Sequence, residues 1–545
     1  MVKTSAPTNE DSFPEKIPGP ALYAVVVVGA GESGIAVGCR LKEKLGVTDF
    51  RIFDRQGGVG GAWYINKYPG VACDMSAVLT VPKISPALLY SYSFSPNYKW
   101  TTIFPSGSEI LDYLESVCQK YGIFHQTQLN TEVSDARWLE DRQIWEVSVT
   151  KLVPKTGDIS EAERRTKIRR QGYSSVYLEK EVVYAKILIS CAGELVEPKP
   201  WPQDIPGIEV FKGDIFHTAR WPPNVHLKDK DVIVIGTGCT AAQLVPCLTK
   251  EPFLAKTVTQ LMRSPPWIFP RPKTPELWQK YSPGILSAVP GLGRLLRSML
   301  FLYAESTWLS VGMSEWSKRR REKFQRKLSK HLHDTVPARY HGMLTPRFGV
   351  GCKRIIIDHQ WFKSLSQPNM ELTTRPLISV QSDSITLGPD PDTADSSYSK
   401  QRGEPITRPV DTIVLANGFD TSTYLHRLQV RGIEQKSLQD VWDERGGPQA
   451  YLSTAIDGFP NFFIILGPNA VTGHSSAILA SENVITYAMN FIRLVLNGDA
   501  MQVQVKKEAE LRYTADVQER TKSKVWTGCT NGYITPEGWN SSICP

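Results

Sequence analysis

The sequence contains a glycine-rich turn whose residue types and spacing are those that hold the phosphates of a dinucleotide. It is GAGESG at residues 29–34, between the apolar run YAVVVV and a helical pattern. Gly29 permits the tight turn, Gly31 lets the backbone approach a pyrophosphate, and Gly34 lets the helix pack on the strand. The next strand, DFRIFD, ends at Asp54, twenty residues after Gly34, where a carboxylate accepts a hydrogen bond from a ribose hydroxyl. This order of elements predicts a dinucleotide site rather than a chance glycine turn.

A second turn of the same kind, GTGCTA, occupies residues 236–241. It again joins an apolar strand to a helical pattern, and alanine is a tolerated third residue. The strand that follows ends in Arg263 and Ser264 rather than in an acid. An acid there selects a free ribose hydroxyl, whereas an arginine accommodates a 2′-phosphate. The sequence therefore predicts NADPH at this turn, with a structural arginine as the alternative. The residues predicted to bind it are Gly236, Thr237, Gly238, Cys239, Thr240, Ala241, Arg263 and Ser264.

Two further apolar runs end in a turn that contains glycine, and they would complete the sheets that carry the two turns. They are AKILISCAG at residues 185–193 and VDTIVLANG at residues 410–418. Buried runs of this kind, alternating with helices, are typical of parallel sheets. The predicted fold class is therefore α/β, with two Rossmann-like dinucleotide-binding domains. Two such sites in one chain imply electron transfer between two cofactors, typically a nicotinamide and a flavin.

A chain of 545 residues is too long for one hydrophobic core, so two or three domains are expected. Because the second turn lies between segments assigned to the first domain, the NADP-binding domain is predicted to be inserted in the FAD-binding domain. The predicted segments are a disordered lead-in at 1–20, the first part of the FAD-binding domain at 21–210, a linker at 211–225, the NADP-binding domain at 226–370 with a helical insert at 275–345, and the second part of the FAD-binding domain with the C-terminal segment at 371–545.

Composition and charge exclude several classes of protein. Hydrophobic residues make up 41% of the chain and charged residues 22%, as in ordinary globular proteins. The formal net charge of +8 is small for this length. The most basic run, at residues 318–327, is interleaved with acidic and apolar residues. We interpret it as a solvated helix face rather than a nucleic-acid site.

The cysteines and the apolar segments indicate where the protein resides. Nine scattered cysteines with no C-x-x-C pair argue against a disulfide framework or a zinc site and for a reducing, cytoplasmic compartment. Residues 1–20 lack an apolar signal core. The most apolar region, residues 284–313, is too interrupted to span a bilayer, so a buried or interfacial helical hairpin is predicted, with peripheral membrane contact as the alternative. The interrupting residues are Pro290, Arg294, Arg297 and Glu305.

The stretch FKGDIFHTARWP at residues 211–222 identifies a family. It reads as neither helix nor strand, yet it carries aromatic residues that a simple linker would not need. It matches in full the fingerprint F-x-G-x-x-x-H-x-x-x-W-P of the Baeyer–Villiger monooxygenases, a branch of the class B flavoprotein monooxygenases. The matching residues are Phe211, Gly213, His217, Trp221 and Pro222. The chain resembles this family from about residue 20 to its C-terminal segment.

A second family motif appears as GGAWYINKYPGVACD at residues 60–74, with Lys67 in place of the usual arginine. Lysine keeps the charge but lacks the planar fork of arginine. What the resemblance implies is a set of cofactor contacts. The implied FAD contacts are Ala62, Trp63, Tyr64, Asp74 and Tyr90, and the implied NADP contacts are Ala72, Cys73 and Lys353.

A third motif, GVGCKRIIIDHQWF at residues 349–362, carries the residues that the resemblance implies for the chemistry. In such enzymes NADPH and O2 are consumed, one oxygen atom enters next to a ketone carbonyl to give an ester or lactone, and the other leaves as water. The site must stabilise negative charge on oxygen, and an arginine that cannot lose its proton suits that task. Arg354 is the predicted catalytic residue, and Asp74 is predicted to hold it in place by charge pairing.

Two other segments resemble the family. Residues 459–476, FPNFFIILGPNAVTGHSS, resemble a strand and helix N-terminus near the flavin. Near the C-terminus the family pattern retains Trp526, Gly528, Cys529 and Tyr533, but NGY replaces the usual SWY, which leaves the tryptophan contact without a counterpart.

The fingerprint histidine has two interpretations. His217 could be a general base, but the reaction is best served without a base near the oxygen anion. We therefore favour a structural or coupling role in a connector that moves as NADPH binds. In that role Phe211 and Trp221 would pack around His217, and Pro222 would fix the direction of the chain.

The chain departs from the family pattern between Asp74 and Tyr90, where roughly ten extra residues precede YSYSF. They are either an additional loop beside the site or an artefact of the gene model. The helical insert at 275–345 resembles fungal members that tailor secondary metabolites. A polyketide ketone, for example of the sterigmatocystin or aflatoxin kind, is therefore predicted as substrate, with cyclic or steroidal ketones as alternatives.

Three other functions compete with this prediction. An N- or S-hydroxylating flavin monooxygenase shares both nucleotide folds but lacks the Trp-Pro end and the Asp74 motif. An NADPH oxidase that releases peroxide would share every binding motif. A degenerate flavoprotein that serves as a binding subunit is disfavoured because both glycine turns, Arg354 and Asp74 are intact.

Overall fold

The computed structural model describes residues 21–73, 86–272, 275–390, 403–421, 424–470, 476–535 and 537–544, without the side chains of residues 278 and 279. Three sequence predictions therefore lie outside the described residues. They are the lead-in at 1–20, Asp74 with its charge pairing, and the extra segment from residue 75 to 85.

The strands of the described residues are, in chain order, β1 Leu22–Val28, β2 Phe50–Phe53, β3 Thr127–Gln128, β4 Thr131–Leu139, β5 Ile144–Leu152, β6 Tyr177–Ser190, β7 Asp214–His217, β8 Asp231–Ile235, β9 Thr257–Leu261, β10 Ile268–Pro270, β11 Ile356–Asp358, β12 Met370–Thr373, β13 Leu377–Val380, β14 Ser384–Leu387, β15 Ile406–Pro409, β16 Thr412–Leu415, β17 Gln429–Arg431 and β18 Phe462–Ile464.

The α-helices are, in chain order, α1 Glu32–Leu45, α2 Ala62–Ile65, α3 Gly107–Tyr121, α4 Glu161–Gln171, α5 Cys239–Leu248, α6 Glu276–Ala288, α7 Leu292–Trp308, α8 Glu315–Thr335, α9 His341–Leu344, α10 Trp361–Ser364, α11 Leu438–Glu444, α12 Ala477–Asn497 and α13 Lys507–Lys522.

The first sheet carries the first glycine turn. Its order is β17-β4-β5-β6-β1-β2-β3, and β18 also pairs with β6. Strand β1 runs parallel to both β2 and β6, as a nucleotide-binding sheet requires, and residues 25–27 are fully buried. Helix α1 follows β1 directly and ends at Gly46, whose left-handed φ of 66° closes the helix. The run predicted at residues 185–193 is the end of β6, so this part of the prediction is confirmed.

The second sheet carries the second glycine turn, and all of its strands are parallel. Its order is β12-β9-β8-β16-β7. Strand β16 pairs with both β7 and β8, so the second apolar run predicted to end in a glycine turn, residues 410–418, belongs to this sheet. The inserted unit was predicted to end at 370, whereas strands after that residue complete its sheet. This boundary depends on pairing between strands that are far apart in the sequence, so the local sequence could not predict it.

The fingerprint stretch is a part of the second sheet rather than a linker without structure. Residues Asp214–His217 form β7, which pairs in register with β16, and a short 3-10 turn at Thr218–Arg220 follows. The prediction that this stretch is neither helix nor strand is therefore wrong. The reason is that β7 is an edge strand of four residues, too short to show an alternating pattern.

The insert consists of α6, α7 and α8, as predicted from its helical pattern. Within the described residues, no single helix has the length and apolar composition to cross a membrane, but α6 from Lys280 and α7 meet these criteria together as a pair bent by 113°. The basic run at 318–327 lies on α8. Its Arg321 is buried and donates to the Ser310 carbonyl at 2.7 Å, so the predicted solvated face does not include this residue.

One disulfide joins Cys352 to Cys529 across 177 residues of sequence. The expectation of no disulfide framework holds for seven other cysteines, which are free. It fails for this pair because the two cysteines come together only through the fold, and their spacing gives no signal of pairing.

Candidate active site

A cavity of about 770 Å³ opens where β1, β2 and β6 end. Its wall includes Gly29 and Gly31 after β1, Asp54 after β2, and residues 191–196 after β6. In open α/β sheets ligands bind at the carboxyl ends of the strands, where the connections diverge. The volume is in the range of cofactor and small-molecule sites.

Two backbone N–H groups hold the Asp54 carboxylate next to the first glycine turn. Its Oδ2 accepts a hydrogen bond from the Ala30 N–H at 2.6 Å, and its Oδ1 accepts one from the Gln56 N–H at 2.8 Å. Burial raises the pKa of this carboxyl, and the two backbone donors oppose the rise. Each carboxylate oxygen keeps a further lone pair, so Asp54 can still accept from a ribose hydroxyl as predicted.

The cavity wall has the features that a flavin dinucleotide needs. A methyl group at Gly31 would contact only the Gly61 backbone, at 3.6 Å, among the described atoms, so the space in front of this turn is open. No side chain caps the start of α1 at Gly31, and its first N–H groups can receive a phosphate. Ser476 precedes α12 in the same wall, and its buried Oγ has no hydrogen-bond partner among the described residues. The donor set therefore fits a phosphate-bearing cofactor.

The predicted phosphate ligands of the second turn come together at this cavity. Arg263 and Lys353 line its wall, and the Lys353 Nζ donates to the Ser264 Oγ at 2.9 Å. Thr237 of the turn donates through Oγ1 to the Ser264 carbonyl at 3.3 Å. Burial and the neighbouring Arg263 lower the pKa of Lys353, which is the expected effect of two cations held close together without an anion.

The second turn itself lies beside the cavity. Gly236 has a φ of +121°, and a methyl group there would lie 2.4 Å from the Ala416 carbonyl oxygen after β16. None of the residues at 236–241 belongs to the described wall of the cavity. Ser264 connects this turn to the cavity wall, because Thr237 donates to its carbonyl and the wall residue Lys353 donates to its hydroxyl.

Arg354 lines the same cavity and is exposed there. It lies close enough to the half-buried Tyr533 to lower the pKa of that phenol, against the larger rise that burial causes. The pair predicted between Arg354 and Asp74 cannot be described, because Asp74 lies outside the described residues. The structure adds Tyr533, from the C-terminal segment, as a neighbour of this cation.

The residues predicted to contact the flavin fall into two groups, those in the cavity wall and those outside it. Ala62, Trp63 and Tyr90 line the cavity, and the rings of Trp63 and Tyr90 meet edge to face at 5.5 Å. Tyr64 lies apart from this wall, and its hydroxyl donates to the Asp158 Oδ2 at 3.2 Å. Burial is the main cause that raises the pKa of Tyr64 to about 12.

The two residues predicted near NADP at positions 72 and 73 pack between the two sheets. The Ala72 carbonyl accepts from the Gln243 side chain of α5 at 3.2 Å. Cys73 is fully buried, and its N–H donates to the Pro105 carbonyl at 2.8 Å. Neither lines the described cavity, so their contacts are with protein.

His217 uses both ring nitrogens to hold the backbone. The Ala219 N–H donates to Nδ1 at 3.0 Å, so Nε2 carries the proton and donates to the Gly418 carbonyl at 3.1 Å. The centroid of the His217 ring lies 6.0 Å from the centroid of the Phe419 ring. Trp221 instead packs on Phe216 at 5.0 Å, so the predicted packing of this tryptophan around His217 is not what the structure has. These contacts support the structural interpretation over the general base.

We expect His217 to make the protein less stable in acid. Burial lowers its pKa to about 4 from the usual 6.5, so between these values the unfolded chain binds a proton that the folded chain does not. The free energy of unfolding should therefore fall by about 2 kcal/mol between pH 7 and pH 5 through this group alone. Urea unfolding of His217→Asn at both pH values should show that this part of the pH dependence is lost. The exposed His226→Asn is the control, and an unchanged pH dependence in His217→Asn would contradict the assignment.

The disulfide joins two parts of the cavity wall. Cys352 directly precedes Lys353 and Arg354, and Cys529 directly precedes wall residues 530–533. Both cysteines lie in an apolar cluster with Val525 and Trp526. The C-terminal segment is thereby fixed against the loop that carries Arg354.

Removing this disulfide should impair the site more than the fold. Under the function proposed below, we expect Cys529→Ser to keep its FAD, to raise the KM for ketone and to release more of the consumed NADPH as hydrogen peroxide, because the C-terminal wall loosens. The cost in stability should be about 2–5 kcal/mol. Cys352→Ser and the double variant should behave like Cys529→Ser, since each removes the same bond. Additive effects, or an equal effect of Cys247→Ser, would show that the bond is not responsible.

Three carboxyl groups of the wall, those of Glu32, Glu132 and Glu194, were not found from the sequence. Glu32 occupies a variable position of the first turn, and burial raises its pKa to about 7. Glu194 follows β6, and burial raises its pKa although the Tyr424 hydroxyl donates to it at 2.7 Å. An acid inside the phosphate turn was the available signal for Glu32. For Glu194 the contact with Tyr424 is distant in sequence and gave no signal.

In each of the two sheets a strand with parallel neighbours on both sides, β1 in the first and β8 in the second, runs directly into a glycine turn. This arrangement is typical of oxidoreductases that bind two dinucleotides. The family model described as flavin-binding monooxygenase-like matches residues 23–276. Among curated proteins, a Baeyer–Villiger monooxygenase of Pseudomonas aeruginosa is 29% identical over 96% of this chain and 87% of that protein. The FAD-binding monooxygenase ktnD of Aspergillus niger is 29% identical over 95% of this chain and 78% of that protein.

The solved structures agree on the fold. A closed cyclohexanone monooxygenase superimposes with a TM-score of 0.73 at 23% identity, covering 96% of this chain and 94% of that one. An oxidized steroid monooxygenase bound to NADP gives 0.72 at 24% identity, covering 96% and 95%. The predicted α/β fold with two dinucleotide domains is confirmed. The predicted resemblance is confirmed as well: this chain is similar to Baeyer–Villiger monooxygenases over nearly its whole length.

Proposed function

We propose that this chain is a Baeyer–Villiger monooxygenase that holds FAD at the first glycine turn, uses NADPH at the second, and inserts one oxygen atom of O2 next to a ketone carbonyl. The single observation that carries the proposal is that Arg263, Lys353 and Arg354 line the same cavity as the first turn. One cavity would thus combine the flavin site, the 2′-phosphate site and the proposed catalytic cation Arg354.

FAD fits the donors of the first turn. The start of α1 at Gly31 would hold the pyrophosphate, Asp54 a ribose hydroxyl, and the start of α12 at Ser476 a polar edge of the ring system. Trp63 and Tyr90 form an apolar side of the cavity. When bound, the flavin supplies the transfer of electrons from NADPH to O2.

Two roles are proposed for the three cations: binding the 2′-phosphate and stabilising negative charge on oxygen. Lys353 and Arg263 would bind the 2′-phosphate together with the Ser264 hydroxyl. A phosphate there would offset both burial, the larger cause of the lowered Lys353 pKa, and the charge of Arg263. Arg354 would stay protonated through the cycle and stabilise negative charge on oxygen, first on the reduced oxygen species and then on the adduct with the ketone. Asp74 is proposed as its charge partner from the family motif.

The substrate is proposed to be a ketone of fungal secondary metabolism, such as a polyketide ketone, which gives an ester or lactone. Two similar relatives are FAD-binding monooxygenases of Aspergillus species. The cytoplasm is the proposed compartment, supported by the seven free cysteines among the described residues, whereas the Cys352–Cys529 disulfide is unusual for a reducing compartment.

The proposal is tested with purified, flavin-loaded protein. NADPH consumption, peroxide release and product formation are followed with a panel of linear, cyclic and polyketide ketones, and with amine and sulfide substrates. Ketone-dependent ester formation in proportion to NADPH supports the proposal. Peroxide equal to all NADPH consumed with every ketone would identify an oxidase, and oxygenation of amines or sulfides alone would identify the hydroxylating class.

A further inference from the structure

The helical insert exposes large apolar side chains on its outer surface. Leu277 of α6 is 73% exposed, Leu302 of α7 is 66% exposed, and Trp316 at the start of α8 is 55% exposed. Side chains of this size are seldom left in water in such numbers on one segment. Three others on the same segment are Tyr281, Leu295 and Met299.

These side chains form a stripe along α7. Leu295, Met299 and Leu302 follow the spacing of one helical face, while Leu300 and Ala304 on another face are buried. The apolar stripe is therefore not the core-facing side of the helix. It is a second, unpartnered face in the described structure.

The opposite side of α7 supports the cavity wall. Arg297 donates to the carbonyls of Leu88 and Ser91, each at 2.6 Å, and so holds both ends of the short stretch that contains Tyr90, a wall residue. The Arg297 Nη2 also lies 3.4 Å from the Glu482 carboxylate of α12. The exposed stripe thus lies on a helix that contacts the cavity wall directly.

The charge of the chain is concentrated on the same segment. Residues 276–330 contain eleven Lys and Arg, eight of them on α8, against four Asp and Glu, within a chain whose formal net charge is +8. Of these cations, Arg297 and Arg321 are used in hydrogen bonds inside the protein. Two of the other cations lie next to exposed aromatic rings. The Lys280 Nζ lies 5.3 Å from the Tyr281 ring, and the Arg320 guanidinium lies 5.3 Å from the Trp316 ring.

We propose that α6, α7 and the start of α8 form a docking surface for an anionic phospholipid bilayer. Exposed leucines between Trp, Tyr, Lys and Arg are the pattern of helices that lie in the interface of a bilayer, and the positive charge matches anionic headgroups. The bend of 113° between α6 and α7 suits a pair of helices that lies on the surface. Resting on the proposed function, this docking places the cavity next to the phase in which an apolar ketone dissolves.

The test is co-sedimentation of the full flavin-loaded protein with vesicles of phosphatidylcholine, with and without phosphatidylserine. We expect binding to the vesicles that contain phosphatidylserine, weakened by high salt, and at least about a tenfold loss of binding in Leu295→Glu/Leu302→Glu. Arg319→Glu/Lys323→Glu should lose the dependence on phosphatidylserine. Leu178→Glu, an exposed leucine of β6, is the matched control and should bind like the wild type.

The readout does not depend on ketone oxidation, so the docking surface and the proposed function can fail separately. Reduction of the flavin by NADPH in each variant shows that the fold is intact. Wild-type protein that stays in solution with all vesicles would overturn the proposal. So would a wild-type dimer that Leu295→Glu/Leu302→Glu converts to a monomer without any vesicle binding, since the occupant would then be a second copy of the chain.

Discussion

Replacing Arg354 with alanine should abolish nearly all ester formation while NADPH still reduces the flavin. Arg354 stands exposed in the cavity beside Tyr533, where its fixed positive charge can stabilise negative charge that develops on oxygen. Removing one preorganised donor of this kind costs about 10²–10³ in rate. Stopped-flow absorbance separates the two stages, because flavin reduction and product formation are measured independently.

The charge and the shape of Arg354 can be tested apart. Arg354→Lys keeps a cation but loses the planar fork, so it should retain more activity than Arg354→Ala and still fall below the wild type. Lys353→Ala should instead raise the KM for NADPH, since its Nζ is bonded to Ser264. Arg339→Ala, at an exposed arginine outside the cavity, is the control. Normal ester formation by Arg354→Ala would remove this residue from the mechanism.

The parts of the fold that depend on local sequence could be predicted. Both glycine turns follow their strands as expected, since the turn chemistry requires strand, glycine and helix within about twenty residues. Arg263, Ser264 and Lys353 meet although about ninety residues separate them, and the sequence predicted this only through a family resemblance. The parts that depend on pairing over long distances could not be predicted.

Three such parts illustrate the limit. Strand β16 lies in the segment 371–545 that was assigned to the FAD-binding domain, but it pairs with β7 and β8 of the second sheet. This pairing moves the boundary of the inserted unit beyond residue 370. The disulfide between Cys352 and Cys529 joins positions 177 residues apart, and no spacing rule predicts it. The insert was predicted to be helical from its periodicity, but periodicity alone does not tell which face stays in water.

Among the site residues, too, some were predicted correctly from the sequence and others were not. The resemblance supplied Trp63, Tyr90 and Arg354, all of which line the cavity. It also supplied Tyr64 and Cys73, which contact protein instead, because a motif gives proximity to a cofactor without giving the direction of each side chain. The neighbour of Arg354 that the structure adds, Tyr533, comes from the divergent C-terminal segment.

Replacing Gly31 with alanine should yield a folded protein without FAD. The backbone at Gly31 is extended, with φ −74°, so alanine fits its conformation, and a methyl group would contact only Gly61 at 3.6 Å among the described atoms. The methyl group would instead occupy the space that the pyrophosphate needs. We expect at least about a tenfold weaker FAD binding, measured by flavin absorbance and titration, with the circular dichroism of the folded protein.

The third glycine of the same turn is the contrasting variant. A methyl group at Gly34 would lie 1.9 Å from the Gly29 carbonyl oxygen, so Gly34→Ala must displace the backbone and should lower the melting temperature even without FAD. Gly238→Ala repeats the Gly31 test at the second turn, where no described atom lies within 4 Å of the new methyl group. It should keep FAD and raise the KM for NADPH. If Gly31→Ala retained full FAD content, or if Gly238→Ala lost FAD rather than NADPH affinity, the assignment of the two turns to the two cofactors would be wrong.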